Sequence, residues 1–294
     1  MSVTVVALGD SFSCGEGVGL AIRPEQTWTA LLCDALPGAR LVNLSTAGAR
    51  VRDVRRHQLP AALSACPQVA TIMVGLNDVI RSGLTAEQVA ADLQVLVRRL
   101  SDGGSTVLIA RWHDPGAVLR LPSGLRGALA LRLAWVNQAV DAAVDAAAAS
   151  TTPSRTREGR GHRDVLTLDL DRIPELTDPG AWAVDGIHPS SAGHRAIALS
   201  ASRILADSGL PGLRIRAVTD LLPMPPGPSS ARRAGWLLSR GLPWLLQHSA
   251  RVVPAVLSMA IQAIREHPPP SPAPVLAVSS RTTAELQCLG VTSG

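Results

Sequence analysis

The sequence contains no lysine, no tyrosine and only one phenylalanine, so all 28 of its basic side chains are arginine. Those arginines are scattered, and aromatic residues make up 2% of the chain. A surface that stacks bases on aromatic rings therefore has no raw material, and no nucleic-acid partner is expected despite the net charge of +5. Cys14, Cys33, Cys66 and Cys288 lie far apart and never in C-x-x-C spacing. This argues against a zinc site, a redox pair or a disulfide framework, and neither metal nor cofactor is expected. No basic segment precedes the first apolar run, which spans about eight residues and is too short for a signal sequence or a membrane span. A cytoplasmic location is the resulting expectation.

What the chain does contain is enough apolar residue, 46% of 294, to bury a sizeable core. Strand-like and helix-like segments alternate up to residue 208. Val3 to Leu8, Leu41 to Leu44, Val69 to Val74, Thr106 to Ala110 and Val165 to Leu170 read as short buried strands. Helical spacing is read over Gln26 to Leu36, stopped by Pro37-Gly38, and from Thr85, with Gln88 placed to complete a capping box, to Gly103-Gly104. Further helices are read over Leu131 to Ala149 and Ser191 to Ala206, while residues 150–163 have no apolar period and read as a surface loop. Five strands separated by helices predict a parallel sheet covered on both faces, with ligands bound beyond the carboxyl ends of the strands.

Two of those strand ends carry chemistry. The first strand stops at Gly9-Asp10-Ser11 and the third at Gly75-Leu76-Asn77-Asp78. A serine hydroxyl needs a base within reach, and the base needs an orienting group. The stretch AWAVDGIHPSSAGH supplies both: Asp185 and His188 stand three residues apart, Gly186 permits a tight turn, and Pro189 keeps His188 out of a helix. Donors for a developing oxyanion are available at Gly48 in NLSTAGAR and at the side chain of Asn77. Taken singly, each block also reads as an ordinary turn or cap, with Ser190 or Ser191 capping the last helix.

Taken together and in order, the four blocks resemble the SGNH/GDSL hydrolases, a family of serine esterases and lipases. The resemblance covers residues 1–208 and implies a three-layer α/β/α flavodoxin-like fold. It implies Ser11 as nucleophile, His188 as general base and then acid, and Asp185 as the orienting carboxylate. The Ser11 amide, Gly48 and Asn77 are implied as the oxyanion hole. No essential position departs from the pattern, and the G-x-S-x-G elbow of the α/β-hydrolases is absent. Asp10 is expected to brace the nucleophile loop and Asp78 to support Asn77, and His57, His113, His162, His194, His248 and His267 to be incidental, with His194 at the surface or capping.

The expected organisation is a hydrolase domain over 1–209, a linker and amphipathic helical extension over 210–266, and a proline-rich disordered tail over 267–294. Within residues 232–264, tryptophans and leucines alternate with arginines, a composition suited to packing on the same domain, a partner or a membrane interface. Substrate-facing loops are expected over residues 12–25, 79–84 and 113–126, and Val118, Leu119, Leu121 and Leu125 in the third favour an apolar acyl group. The expected activity is hydrolysis of a small-molecule carboxylic ester. An acyltransferase with the same acyl-enzyme, and a catalytically idle domain carrying the tail to a membrane or partner, are the alternatives.

Overall fold

In the computed structural model, residues 3–17, 20–81, 85–114, 123–150, 164–209 and 227–241 are described. Five strands, β1 (Thr4–Gly9), β2 (Arg40–Asn43), β3 (Val69–Met73), β4 (Thr106–Arg111) and β5 (Val165–Asp169), form one parallel sheet in the order β2-β1-β3-β4-β5. This is the doubly wound, flavodoxin-like order, with β1 between β2 and β3 and the order of strand addition reversing at β1. Val5 pairs with Leu41 on one side and with Val69 on the other. Val5, Val6, Ala7 and Leu8 are completely buried, as a strand covered on both faces must be.

The helices divide between the two faces. After β1 and β3 come one-turn helices, α1 (Ser11–Cys14) and, further on, α5 (Leu76–Val79). The crossovers supply α2 (Trp28–Asp34), α3 (Val51–Asp53), α4 (Leu59–Ser64), α6 (Ala86–Asp102) and α7 (Ser123–Ser150), and α8 (Ser191–Asp207) closes the domain. α2 packs on α8, whereas α3 and α4 pack on α6 and α6 on α7, giving a helical layer on each side. Val89, Leu93, Leu96, Val97 and Leu100 form the buried stripe of α6, at the spacing its sequence shows.

The local differences have local causes. α2 begins at Trp28, later than expected, because the Thr27 hydroxyl accepts from the Ala30 amide and caps it there. Thr85 caps α6, but Gln88 does not reach back to close a box; its amide donates to Asp92 Oδ1 at 3.2 Å. α7 starts at Ser123, eight residues before the apolar alanine-rich stretch. Val51 to Ser64, unassigned from sequence, is helical with a π turn at Val54–Gln58. Pro60 follows that turn; it has no N–H to donate and crowds the preceding turn, which a wider turn accommodates.

Residues 151–163, 210–226 and 242–294, on which the surface-loop reading, the linker, most of the extension and the proline-rich tail fall, lie outside the described residues. The described part of the extension comprises α9 (Ser230–Trp236) and a π turn at Leu237–Gly241. Among the described residues no helix is long and apolar enough to cross a membrane.

Candidate active site

Gly9 ends β1 so close to β3 that a side chain would collide: a Cβ there would lie 2.2 Å from the Met73 carbonyl oxygen. Glycine thus lets the chain leave the sheet directly into α1, and Asp10 caps that helix by accepting from the Phe12 amide at 3.1 Å. Ser11 is left at the carboxyl end of β1. Its hydroxyl lies 3.0 Å from His188 Nε2, across 177 residues of sequence.

The loop before α8 brings Asp185 and His188 to the same place. Asp185 Oδ1 accepts from the amides of Ile187 at 2.9 Å and His188 at 3.1 Å, and Gly186 takes a positive φ of 70° to let the turn close. The other oxygen, Oδ2, lies 2.7 Å from His188 Nδ1. An ionised carboxylate only accepts, so Nδ1 carries the proton and Nε2 presents its lone pair to the Ser11 hydroxyl. The Asp185 side chain is 5% exposed and that of His188 20%, so the carboxylate is shielded while the imidazole stays reachable. Ser190 nonetheless caps α8 by accepting from the Gly193 amide, so the turn-and-cap reading and the site share one loop. Phe12 lies beside the imidazole with ring centroids 5.8 Å apart, and packs edge-on to Trp112 at 4.8 Å.

Gly48 and Asn77 sit on neighbouring loops. Gly48 has φ 76°, and neither its amide nor that of Ser11 donates to another group among the described residues. The Asn77 side-chain amide gives one hydrogen to Asp10 Oδ2 at 3.1 Å and the other to the Ala49 carbonyl at 3.2 Å. Asn77 therefore ties the Ser11 turn to the Gly48 loop. Asp78 does not bond to Asn77; its carboxylate accepts from the Val51 amide at 3.0 Å, holding the far side of the same loop. Burial pushes the Asp10 carboxyl up to about 7, partly offset by the donors Phe12 and Asn77, and the Asp78 carboxyl up to about 6, partly offset by Val51.

One residue of the site was missed in the sequence. Gln58, 4% exposed, accepts from the Gly9 amide at 2.8 Å and donates to the Gly9 carbonyl at 2.9 Å and to Thr46 Oγ1 at 3.1 Å. It clamps the strand end two residues before Ser11 to the loop of Gly48. The available signal was the helical spacing of Val51, Val54, Leu59 and Ala62, all buried, which places Gln58 on the inner face beside Leu59.

Two histidines lie in the interior. His194 is not at the surface: it is 1% exposed, and its Nδ1 accepts from the Trp28 amide at 3.2 Å, capping α2 from the neighbouring helix. Burial, reinforced by His188, lowers its pKa to about 3. His113 is buried and stacked on Trp182 at 4.4 Å, and burial lowers it to about 4. His162, His248 and His267, like residues 115–122 of the apolar loop, lie outside the described residues. Among the described residues no three His, Cys, Asp or Glu side chains are grouped to hold a metal ion.

The sequence of residues 7–196 matches the family model described as GDSL-like lipase/acylhydrolase. The chain belongs to that family. Its members are carboxylic ester hydrolases, and the four blocks of the site all fall within the matched stretch. Solved structures with the same fold include the psychrotrophic esterase EstA from Pseudoalteromonas sp., at 16% identity and a TM-score of 0.52 over 70% of this chain and 97% of that one. A lipase/acylhydrolase from Enterococcus faecalis has 16% identity and a TM-score of 0.52 over 71% of this chain and 97% of its own. An acetyl xylan esterase from Geobacillus stearothermophilus has 19% identity and a TM-score of 0.50 over 73% and 96%. No curated protein matches the chain significantly.

Proposed function

We propose that the chain is a serine esterase working through an acyl-enzyme, with Ser11, His188 and Asp185 as its triad. The observation that carries this is the unbroken relay from Ser11 Oγ to His188 Nε2 at 3.0 Å and from Nδ1 to Asp185 Oδ2 at 2.7 Å. Ser11 Oγ attacks the ester carbonyl while His188 takes its proton. His188 then gives that proton to the leaving alcohol, takes one from water, and returns it to Ser11 as the acid departs. The amides of Ser11 and Gly48 donate to the oxyanion. Asn77 joins them when the hydrogen it gives Asp10 is shared with the substrate oxygen as a three-centre bond.

Of the three exposed large apolar side chains among the described residues, Ile80 and Ile187 belong to the segments that carry Asn77 and His188. This supports an ester with an apolar acyl or alcohol part, and a p-nitrophenyl ester series of increasing chain length tests it. The EstA neighbour is described in a form inhibited by monoethylphosphonate, which makes an alkyl phosphonate a suitable probe. Mass spectrometry should place the adduct on Ser11, and Ser11→Ala should abolish both adduct and turnover without altering the circular dichroism spectrum. Undiminished turnover in that variant sinks the assignment.

A further inference from the structure

The loop that presents Asp185 and His188 is gripped from outside by Arg233, a residue of α9 beyond the stretch matched by the family model. Its Nη1 donates to the Ala183 carbonyl at 3.0 Å, and its Nη2 to the Trp182 carbonyl at 2.8 Å and to the Pro179 carbonyl. Its Nε donates to the Pro228 carbonyl at 3.4 Å. Three carbonyls of one short turn thus converge on one guanidinium, whose fixed fork of donors suits such a cradle better than an ammonium does. Gly227 seals the contact: a Cβ there would lie 2.0 Å from the Gly180 carbonyl oxygen.

The gripped turn leads directly to the catalytic pair. Ala183 donates through its amide to the His188 carbonyl at 2.7 Å, and its own carbonyl accepts from Gly186 at 3.1 Å as well as from Arg233. Ala183 is therefore the anchor of the turn that sets Asp185 against His188. On the other side, Ser190 donates through its hydroxyl to the Gly180 carbonyl and through its amide to that of Ala181, joining the same turn to the start of α8. The domain holds one edge of this loop and Arg233 holds the other.

We propose that Arg233 is a positioning residue for the Asp185–His188 loop, so that the C-terminal extension completes the active site by latching the loop that carries its base. The proposal rests on the esterase reading for its kinetic part. Its geometric part stands on the loop alone.

The test is Arg233→Ala and Arg233→Lys in the full chain, beside wild type and Ser11→Ala. Hydrolysis of a p-nitrophenyl ester and the downfield proton resonance of His188 Nδ1 are the two readouts. Arg233→Ala should lower kcat roughly ten- to a hundred-fold with little change in KM, the scale set by a misplaced catalytic group. It should also broaden the downfield resonance, and millimolar guanidinium ion should restore part of both. Arg233→Lys should fall between, since one ammonium cannot serve three carbonyls at fixed angles. If Arg233→Ala does not fold, Arg233→Lys decides by the same readouts.

Unchanged kcat and an unchanged resonance overturn the proposal. So does a loss of activity that vanishes on cooling well below Tm and is indifferent to guanidinium, which is the mark of stability alone. A wild-type protein without esterase activity whose resonance still depends on Arg233 overturns the esterase reading and leaves the latch standing.

Discussion

Replacing Gln58 with glutamate changes almost no volume but takes away the donor that faces the Gly9 carbonyl. The oxygen in place of Oε1 still accepts from the Gly9 amide. The other, in place of Nε2, faces the Gly9 carbonyl, 2.9 Å from that nitrogen in the wild type, with nothing to donate unless the new carboxyl is protonated. Asp10, the neighbour of Gly9, shows what burial does here: with two donors to help it, its carboxyl is still pushed to about 7. A comparable displacement, about three units from the ordinary glutamate value of about 4.3, amounts to roughly 4 kcal/mol. The folded-state pKa is raised, so this stability is present below the unfolded value and lost as pH rises through the folded one. Relative to wild type, Gln58→Glu should thus be nearly neutral at about pH 4 and lose about 8–16 °C of Tm by about pH 8, at about 2–4 °C per kcal/mol for a domain of this size. Differential scanning calorimetry of both proteins at the two pH values measures it. Gln58→Leu, which strands the buried Gly9 amide, should instead cost about 1–3 kcal/mol at either pH. A Tm difference for Gln58→Glu that is the same at both pH values would refute the clamp.

Other perturbations reach the site by different routes. Asp185→Asn keeps an oxygen for the Ile187 and His188 amides but sets an amide group against His188 Nδ1, selecting the wrong tautomer; kcat should fall by roughly 10⁴ with KM little changed in steady-state assays. Gly48→Ala forces a side chain into φ 76° and within 3.3 Å of Arg81, tilting an oxyanion donor, so kcat should fall by about 10²-fold while Tm shifts by only a few degrees. His194, lowered to about 3, must take up a proton on unfolding below about 6.5. Its contribution is therefore present above about pH 6.5 and lost on acidification, so His194→Gln, which keeps an acceptor for the Trp28 amide, should flatten the acid side of the stability curve measured by urea unfolding.

The reach of sequence reasoning differs from residue to residue. β1 and β3 were legible because a strand covered on both faces must be a continuous apolar run, and Gly9 and Gly75 mark where each run ends in a turn. Asp185 and His188 were legible because the carboxylate folds its own loop: with Gly186 between them, two backbone amides and the imidazole all bond one side chain. Gln58 was missed although the spacing of Val51, Val54, Leu59 and Ala62 puts it on the inner face, because Arg56 and His57 before it and Pro60 after it mask that period, and only the fold shows that it meets Gly9. The surface alternative for His194 failed for a related reason. A histidine on the last helix looks like a surface residue until α2 is seen to bring an uncapped amide against it.

Alone, then, the sequence determined the alternation that makes a doubly wound sheet, the four chemical blocks and the local turn that pairs Asp185 with His188, because each depends on residues a few positions apart. Only the tertiary structure decided that the hydroxyl of Ser11 meets the imidazole of His188, that both hydrogens of Asn77 already have acceptors, and that Arg233 grips the loop of Asp185 and His188. Those contacts join groups far apart in the chain, and their partners are mostly backbone carbonyls and amides, which every residue possesses and no pattern of side chains reveals.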